Sequence, residues 1–145
     1  MNILKEIKEA WDWTGIEPKE IIIENKFGNL IIKDFDEKFW RLCPEDIYCK
    51  VIAESLEEYN LLIKNEVFLE DWLMSTMVVE AENNLGQLEL GYKYYMVIPG
   101  ILGGEYGGEN VKVAPLVEII KLSGYLGKQI EELPDGAQIR LEVVL

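Results

Sequence analysis

The chain has 145 residues, 49% apolar and 28% charged, which suits one hydrophobic core and leaves little for a second. Its 27 Asp and Glu outnumber 14 Lys and Arg for a formal charge of −13, which repels phosphate backbones and anionic lipid headgroups and so argues against direct binding to nucleic acid or a membrane surface. Histidine is absent, removing the commonest general base and the commonest nitrogen ligand for zinc.

Ile3, Leu4, Ile7, Ala10 and Trp11 recur at spacings of three and four, predicting a short helix over residues 2–11 with Lys5, Glu9 and Asp12 on its other side. Charges interleaved with these apolar residues, and no small-residue cleavage site behind them, read as a helix and not as an export signal. Thr14-Gly15 and Pro18 end the helix, and a connector follows. Short strands are expected at residues 21–23 and 30–32, punctuated by Gly28-Asn29. Asp34-Phe35-Asp36-Glu37 then loops back into Phe39-Trp40-Arg41-Leu42, with Trp40 and Leu42 on one face.

Cys43 and Cys49 fit a reducing cytoplasm better than a disulfide framework, and two thiols with no second pair fall short of a four-ligand zinc site. Val51-Ile52-Ala53 predicts a further strand, after which Ser55 caps a helix and Glu58 completes a capping box. One continuous helix is predicted from residue 66 to about residue 84, its apolar stripe formed by Leu69, Trp72, Leu73 and Met77 and its end marked by Gly86.

Residues 92–98 are expected to form a central strand closed by Pro99-Gly100. The stretch from 99 to 110 carries too much glycine for regular structure. Pro115 opens a helix whose buried side is Leu116, Ile119, Ile120 and Leu126, until Gly127 loosens it. Leu133-Pro134-Asp135-Gly136 turns the chain into a last strand over residues 138–144. No apolar run approaches the roughly 20 residues of a membrane span. Together these elements predict a single α+β domain, mainly an antiparallel sheet packed against three or four helices.

The charge is uneven. Residues 54–82 hold eight acids against Lys64 alone, a local charge of −7. Glu54, Glu57, Glu58, Glu70, Asp71 and Glu82 are therefore the candidate contacts to a basic partner. The glycine-rich loop lacks the Gly-Lys-Ser/Thr ending of a phosphate cradle, and its Glu105 and Glu109 would repel an anion. Tyr106 between them either anchors an interface or folds inward as a lid over the core. Most other carboxylates read as solvated surface. No catalytic, cofactor-binding or metal-ligating residue is expected. A carboxylate hydrolase would have to use Glu105, Glu109 or Asp135, and a small-molecule sensor would close the glycine-rich loop over its ligand.

Five segments occur in an order that resembles a known family: Phe27-Gly28-Asn29, Trp40-Arg41-Leu42-Cys43-Pro44-Glu45, Val51-Ile52-Ala53-Glu54-Ser55, Leu102-Gly103-Gly104-Glu105-Tyr106, and Gln129-Ile130 through Leu133-Pro134-Asp135-Gly136. They look like the C-terminal domain of Tdi-type immunity proteins of bacterial type VI secretion systems. The resemblance spans residues 27–141, with Asp71-Trp72 where a similar acidic-aromatic pair is expected. Residues 1–26 supply the short helix and connector, so the resemblance implies a short form without the separate GAD-like domain of longer members. It further implies a cytoplasmic immunity protein, not an enzyme, that binds and neutralises a secreted DNase toxin with a basic surface. Trp40, Pro44, Asp135 and Gly136 read as scaffold: a buried indole, a strand terminator and a tight turn.

Overall fold

Asn2 caps the first helix, its side-chain oxygen accepting from the amides of Leu4 and Lys5, and α1 runs Ile3–Trp11. A 3-10 turn and Gly15, at φ +88°, lead into β1, Pro18–Glu24. The computed structural model describes residues 2–134, so the turn expected at Asp135-Gly136 and the strand expected over 138–144 lie outside the described residues. β2 (Leu30–Asp34), β3 (Phe39–Cys43) and β4 (Tyr48–Ala53) complete an antiparallel sheet in the order β1-β2-β3-β4. Its register sets Ile32 beside Ile21 and Trp40, and Leu42 beside Leu30 and Cys49. Three helices follow, α2 (Leu56–Leu62), α3 (Glu66–Leu73) and α4 (Ser75–Leu85). A hairpin of β5 (Tyr92–Met96) and β6 (Val111–Pro115) then leads into α5, Leu116–Glu131. The chain thus forms the expected α+β fold, an antiparallel sheet packed against helices.

Both faces of the sheet are covered, which is why Leu30-Ile31-Ile32 is apolar without alternation. Leu30, Ile32, Leu42 and Cys49 pack with Ile7 and Trp11 of α1 and with Leu116 and Ile120 of α5. Trp40 joins the same side as Leu42, as the alternation predicts. Ile31, Phe39 and Ala53 point the other way, against Tyr59 of α2 and Trp72 of α3, with the Phe39 and Tyr59 rings stacked 4.3 Å apart. A further cluster of Phe27, Ala81, Tyr94, Met96 and Val111 joins α4 to the hairpin.

Three expectations are corrected. The helix foreseen over residues 66–84 is two helices, because Met74 takes left-handed geometry at φ 50° and ψ 40° between α3 and α4. The break sends Trp72 into the cluster under the sheet and Ala81 into the one under the hairpin, two cores that one straight stripe could not reach. Leu73, assigned to that stripe, is exposed. Among the described residues the strand placed at the centre of the sheet pairs instead with β6 alone, in a separate two-stranded sheet, and touches the β1–β2 turn through the Tyr94 amide on the Lys26 carbonyl at 2.9 Å. Finally, α5 continues through Gly127 to Glu131.

The reason for that continuation is close packing. Trp11 Nε1 donates to the Ile120 carbonyl at 3.0 Å, and Trp13 Nε1 donates to the Gly124 carbonyl at 3.0 Å. A Cβ at Gly124 would sit 2.5 Å from the Ala10 carbonyl oxygen, and one at Gly127 would sit 2.6 Å from both Ile47 and Trp13. Gly124 lets α5 lie against α1 at backbone distance, and Gly127 makes room for the Ile47 and Trp13 side chains. Gly124→Val should therefore lower the unfolding free energy by at least about 2 kcal/mol through overpacking, read as a shift of the urea midpoint.

Candidate functional site

A cavity of about 550 Å³ opens where the end of β3, the turn over residues 44–47, the α3–α4 junction and the glycine-rich loop meet. Its floor is charged yet hidden: Arg41 is 5% exposed and Glu45 is 4% exposed. Alternation along β3 turns Arg41 to the side of Phe39, toward α3. The guanidinium donates to Asn29 Oδ1 at 3.1 Å and, through Nη1, to Asp71 Oδ2, while its carbon lies 5.3 Å from the centre of the Trp72 ring. Asn29 extends the network, its Nδ2 donating to both carboxylate oxygens of Glu45 at 2.6 and 2.9 Å. The Cys43 thiol adds a third bond to Glu45 Oε1 at 2.9 Å.

Among the described residues no Lys or Arg forms an ion pair with Glu45. Burial pushes its carboxyl above the ordinary value, against the opposing pull of the Cys43 and Asn29 hydrogen bonds. Burial also pushes up the Cys43 thiol, with Glu45 adding to the effect, and takes Cys49 up to about 12. Both cysteines are free, buried and protonated near neutral pH, so neither is poised as a nucleophile.

The rim is strapped down. Tyr106 donates its hydroxyl to Asp46 Oδ1, and that bond, then burial, pushes the phenol up to about 12. Gly100 N donates to the Glu45 carbonyl at 2.7 Å, and Gly108 N donates to Glu80 Oε1 at 2.7 Å. Asn110 closes the base of the loop, accepting from Ile98 N at 2.9 Å and donating to the Ile98 carbonyl at 2.9 Å. Of the two placements foreseen for Tyr106, the inward fold over the core is not the one taken. The ring is 49% exposed and edges the cavity instead of folding over the core.

The candidate docking residues separate into groups. Glu70, Asp71 and Tyr106 come together around the cavity. Glu54, Glu57 and Glu58 lie exposed at the start of α2, where Ser55 Oγ accepts from Glu58 N at 3.2 Å. The Glu58 carboxylate accepts from Glu54 N at 2.6 Å, one residue before the amide a capping box engages. Glu54 also pairs with Lys38 at 3.5 Å, and Glu82 is tied to Lys26 at 2.8 Å. Glu105 and Glu109 line a separate, open hollow of about 780 Å³ with Tyr95 and Lys112. Sequence reading passed over Asn29, Arg41, Glu45 and Asp46. The available signal was a lone arginine between Trp40 and Leu42, inside a strand otherwise apolar.

Residues 53–127 match the family described as T6SS immunity protein Tdi1, C-terminal. The chain belongs to this immunity family. The match is narrower than the 27–141 span of the sequence resemblance: it contains Glu70, Asp71 and Tyr106, whereas Arg41 on β3 and Glu45 in the turn after it lie ahead of the matched residues. A comparison with curated proteins gave no match. Membership in the Tdi1 C-terminal family implies a cognate effector toxin as partner. Among the described residues no helix is long and apolar enough to cross a membrane, and no group of three or more His, Cys, Asp or Glu is arranged to hold a metal ion.

Two outcomes test the network. Asp71→Asn should cost about 1–2 kcal/mol in urea unfolding, because Arg41 is left buried with its charge unanswered while Asp71 itself faces solvent. Glu45 holds a proton in the folded state that the unfolded chain has released, in the interval from the ordinary 4.5 up to its raised folded value. Raising pH through that interval costs stability, and lowering it restores stability. Relative to Glu45→Gln, the wild type should gain unfolding free energy as pH falls toward 4.5, measured by denaturation at a series of pH values.

Proposed function

We propose that this protein protects the cell that makes it by binding a nuclease effector of a type VI secretion system in the cytoplasm, with the α2–α4 layer as the docking face. The observation that carries the reading is the surface of that layer. Leu56, Leu61, Val67 and Leu73 stand in the open at 57, 65, 78 and 56% exposure, a density of large apolar side chains that marks a protein interface more than a merely wet helix. Glu57, Glu66, Glu70 and Asp71 are interspersed with them. Exposed apolar side chains interspersed with acids, against Lys64 alone, suit a partner whose surface is apolar at the centre and basic at the edge.

A nuclease that grips DNA carries such a basic surface, and a chain of −13 net charge meets it with electrostatic steering. Immunity of this kind is stoichiometric binding and needs no catalytic group on the inhibitor. The acids on the glycine-rich loop, Glu105 and Glu109, and those at the start of α2, Glu54 and Glu58, serve in this reading as the charged surround.

Co-expression with the effector encoded beside it is the direct test. Wild-type chain should restore growth, stop DNA degradation and co-purify with the toxin, while Val67→Asp should weaken binding at least tenfold by burying a charge in the contact. The association rate should fall as salt rises. Persistent toxicity and DNA degradation in the presence of well-folded wild-type chain would defeat the reading.

A further inference from the structure

We propose that the cavity edged by Tyr106 is a receptor for one basic side chain of the effector, an arginine or lysine whose cationic head reaches the carboxylates of Glu45 and Asp46. The proposal rests on the immunity reading above and goes further, since it assigns the partner a specific anchor. Glu45 is 4% exposed, lines the cavity, and among the described residues is hydrogen-bonded by the neutral donors Asn29 and Cys43 and ion-paired with no Lys or Arg. A buried carboxylate without a counter-charge is a cost that an incoming cation removes.

Arg41 lies in the same floor and would repel a cation were it free. Its charge is already answered by Asp71, and the lining as a whole sets Glu45, Asp46, Glu70 and Asp71 against that one guanidinium. An anionic ligand would meet four carboxylates and is disfavoured. The walls suit the rest of a long basic side chain: Met74 and Met77 bring polarizable thioethers to an aliphatic stem, and Tyr48 and Tyr106 line the cavity beside the carboxylates that would take its head.

Position favours the same occupant. Glu70 and Asp71 border the cavity and also belong to α3 of the docking face, so a partner seated on Val67 and Leu73 lies next to the opening. Asp46 is engaged by Tyr106 before any partner arrives, and the cation would compete with that hydroxyl for it. A pocket that takes a single charged anchor beside a broad apolar contact is how interfaces concentrate their binding energy and their choice of partner.

The experiment is calorimetric titration of the full chain with a catalytically inactive form of the effector, alongside nuclear magnetic resonance titration of the chain alone with arginine amide and with the neutral citrulline amide. Asp46→Asn and Glu45→Gln should each raise the Kd for the effector about tenfold or more, whereas Glu118→Gln, which removes the same charge from the exposed side of α5, should change it less than about twofold. Arginine amide should shift the methyl signals of Met74 and Met77 and citrulline amide should not. If wild type binds the effector and both cavity variants bind it equally well, the proposal is overturned. If they bind it equally well while arginine amide seats tightly, the cavity serves a free cation and the side-chain assignment is likewise wrong. Should wild type fail to bind the effector while arginine amide still shifts the methyls, the immunity reading falls and the cation chemistry of the cavity stands.

Discussion

A guanidinium buried between a sheet and a helix has to be answered on every side, and Arg41 is answered by three residues from two elements. Asn29 at the head of β2, Asp71 on α3 and the Trp72 ring each take one aspect of it. Because Asn29 also holds Glu45, the same chain of contacts runs from the exposed helices through the sheet to the turn that carries the glycine-rich loop. Removing any member leaves a polar group stranded in low dielectric, which makes the geometry of the cavity a property of the fold and not of one flexible side chain.

The larger core lies on the other face of the sheet. The α1–α5 side of the sheet is closed by two indoles hydrogen-bonded to α5 carbonyls and by Gly124, which brings the two helices to backbone distance. That side contains the larger core cluster and needs no help from α2 or α3. The opposite side is covered more thinly, by Tyr59, Trp72 and half-buried Phe68, leaving Leu56, Leu61, Val67 and Leu73 outside. The larger core thus lies on one face of the sheet, and the face proposed for recognition is the more thinly covered one.

Asn25 shows how closely the two are joined. Its side-chain oxygen accepts from the amides of Phe27 and Asn29, which shapes the β1–β2 turn around Gly28 at φ +70°. Its Nδ2 donates to the Trp72 carbonyl at 2.8 Å and so fixes the end of α3 where Met74 breaks the helix. A turn of the scaffold therefore sets the angle between the two helices that border the cavity.

Amino-acid order alone determined what local rules govern: the amphipathic α1, the strands on either side of Gly28-Asn29 and of the Asp34 loop, the Ser55 cap, the family, and the acidic segment that became α2–α4. Each of these follows from periodicity, turn chemistry, motif order or charge counted along the chain. Only tertiary structure decided the rest. Nothing near Met74 announces a left-handed residue, because the break is imposed by two separate cores pulling on Trp72 and Ala81. β5 and β6 pair across a long glycine-rich loop whose closure by Asn110 is not a neighbour effect. Arg41, Asn29, Glu45 and Asp71 are separated by up to 42 positions yet share one network, and burial of an ion among groups so far apart in the chain is visible only once the sheet has brought them together.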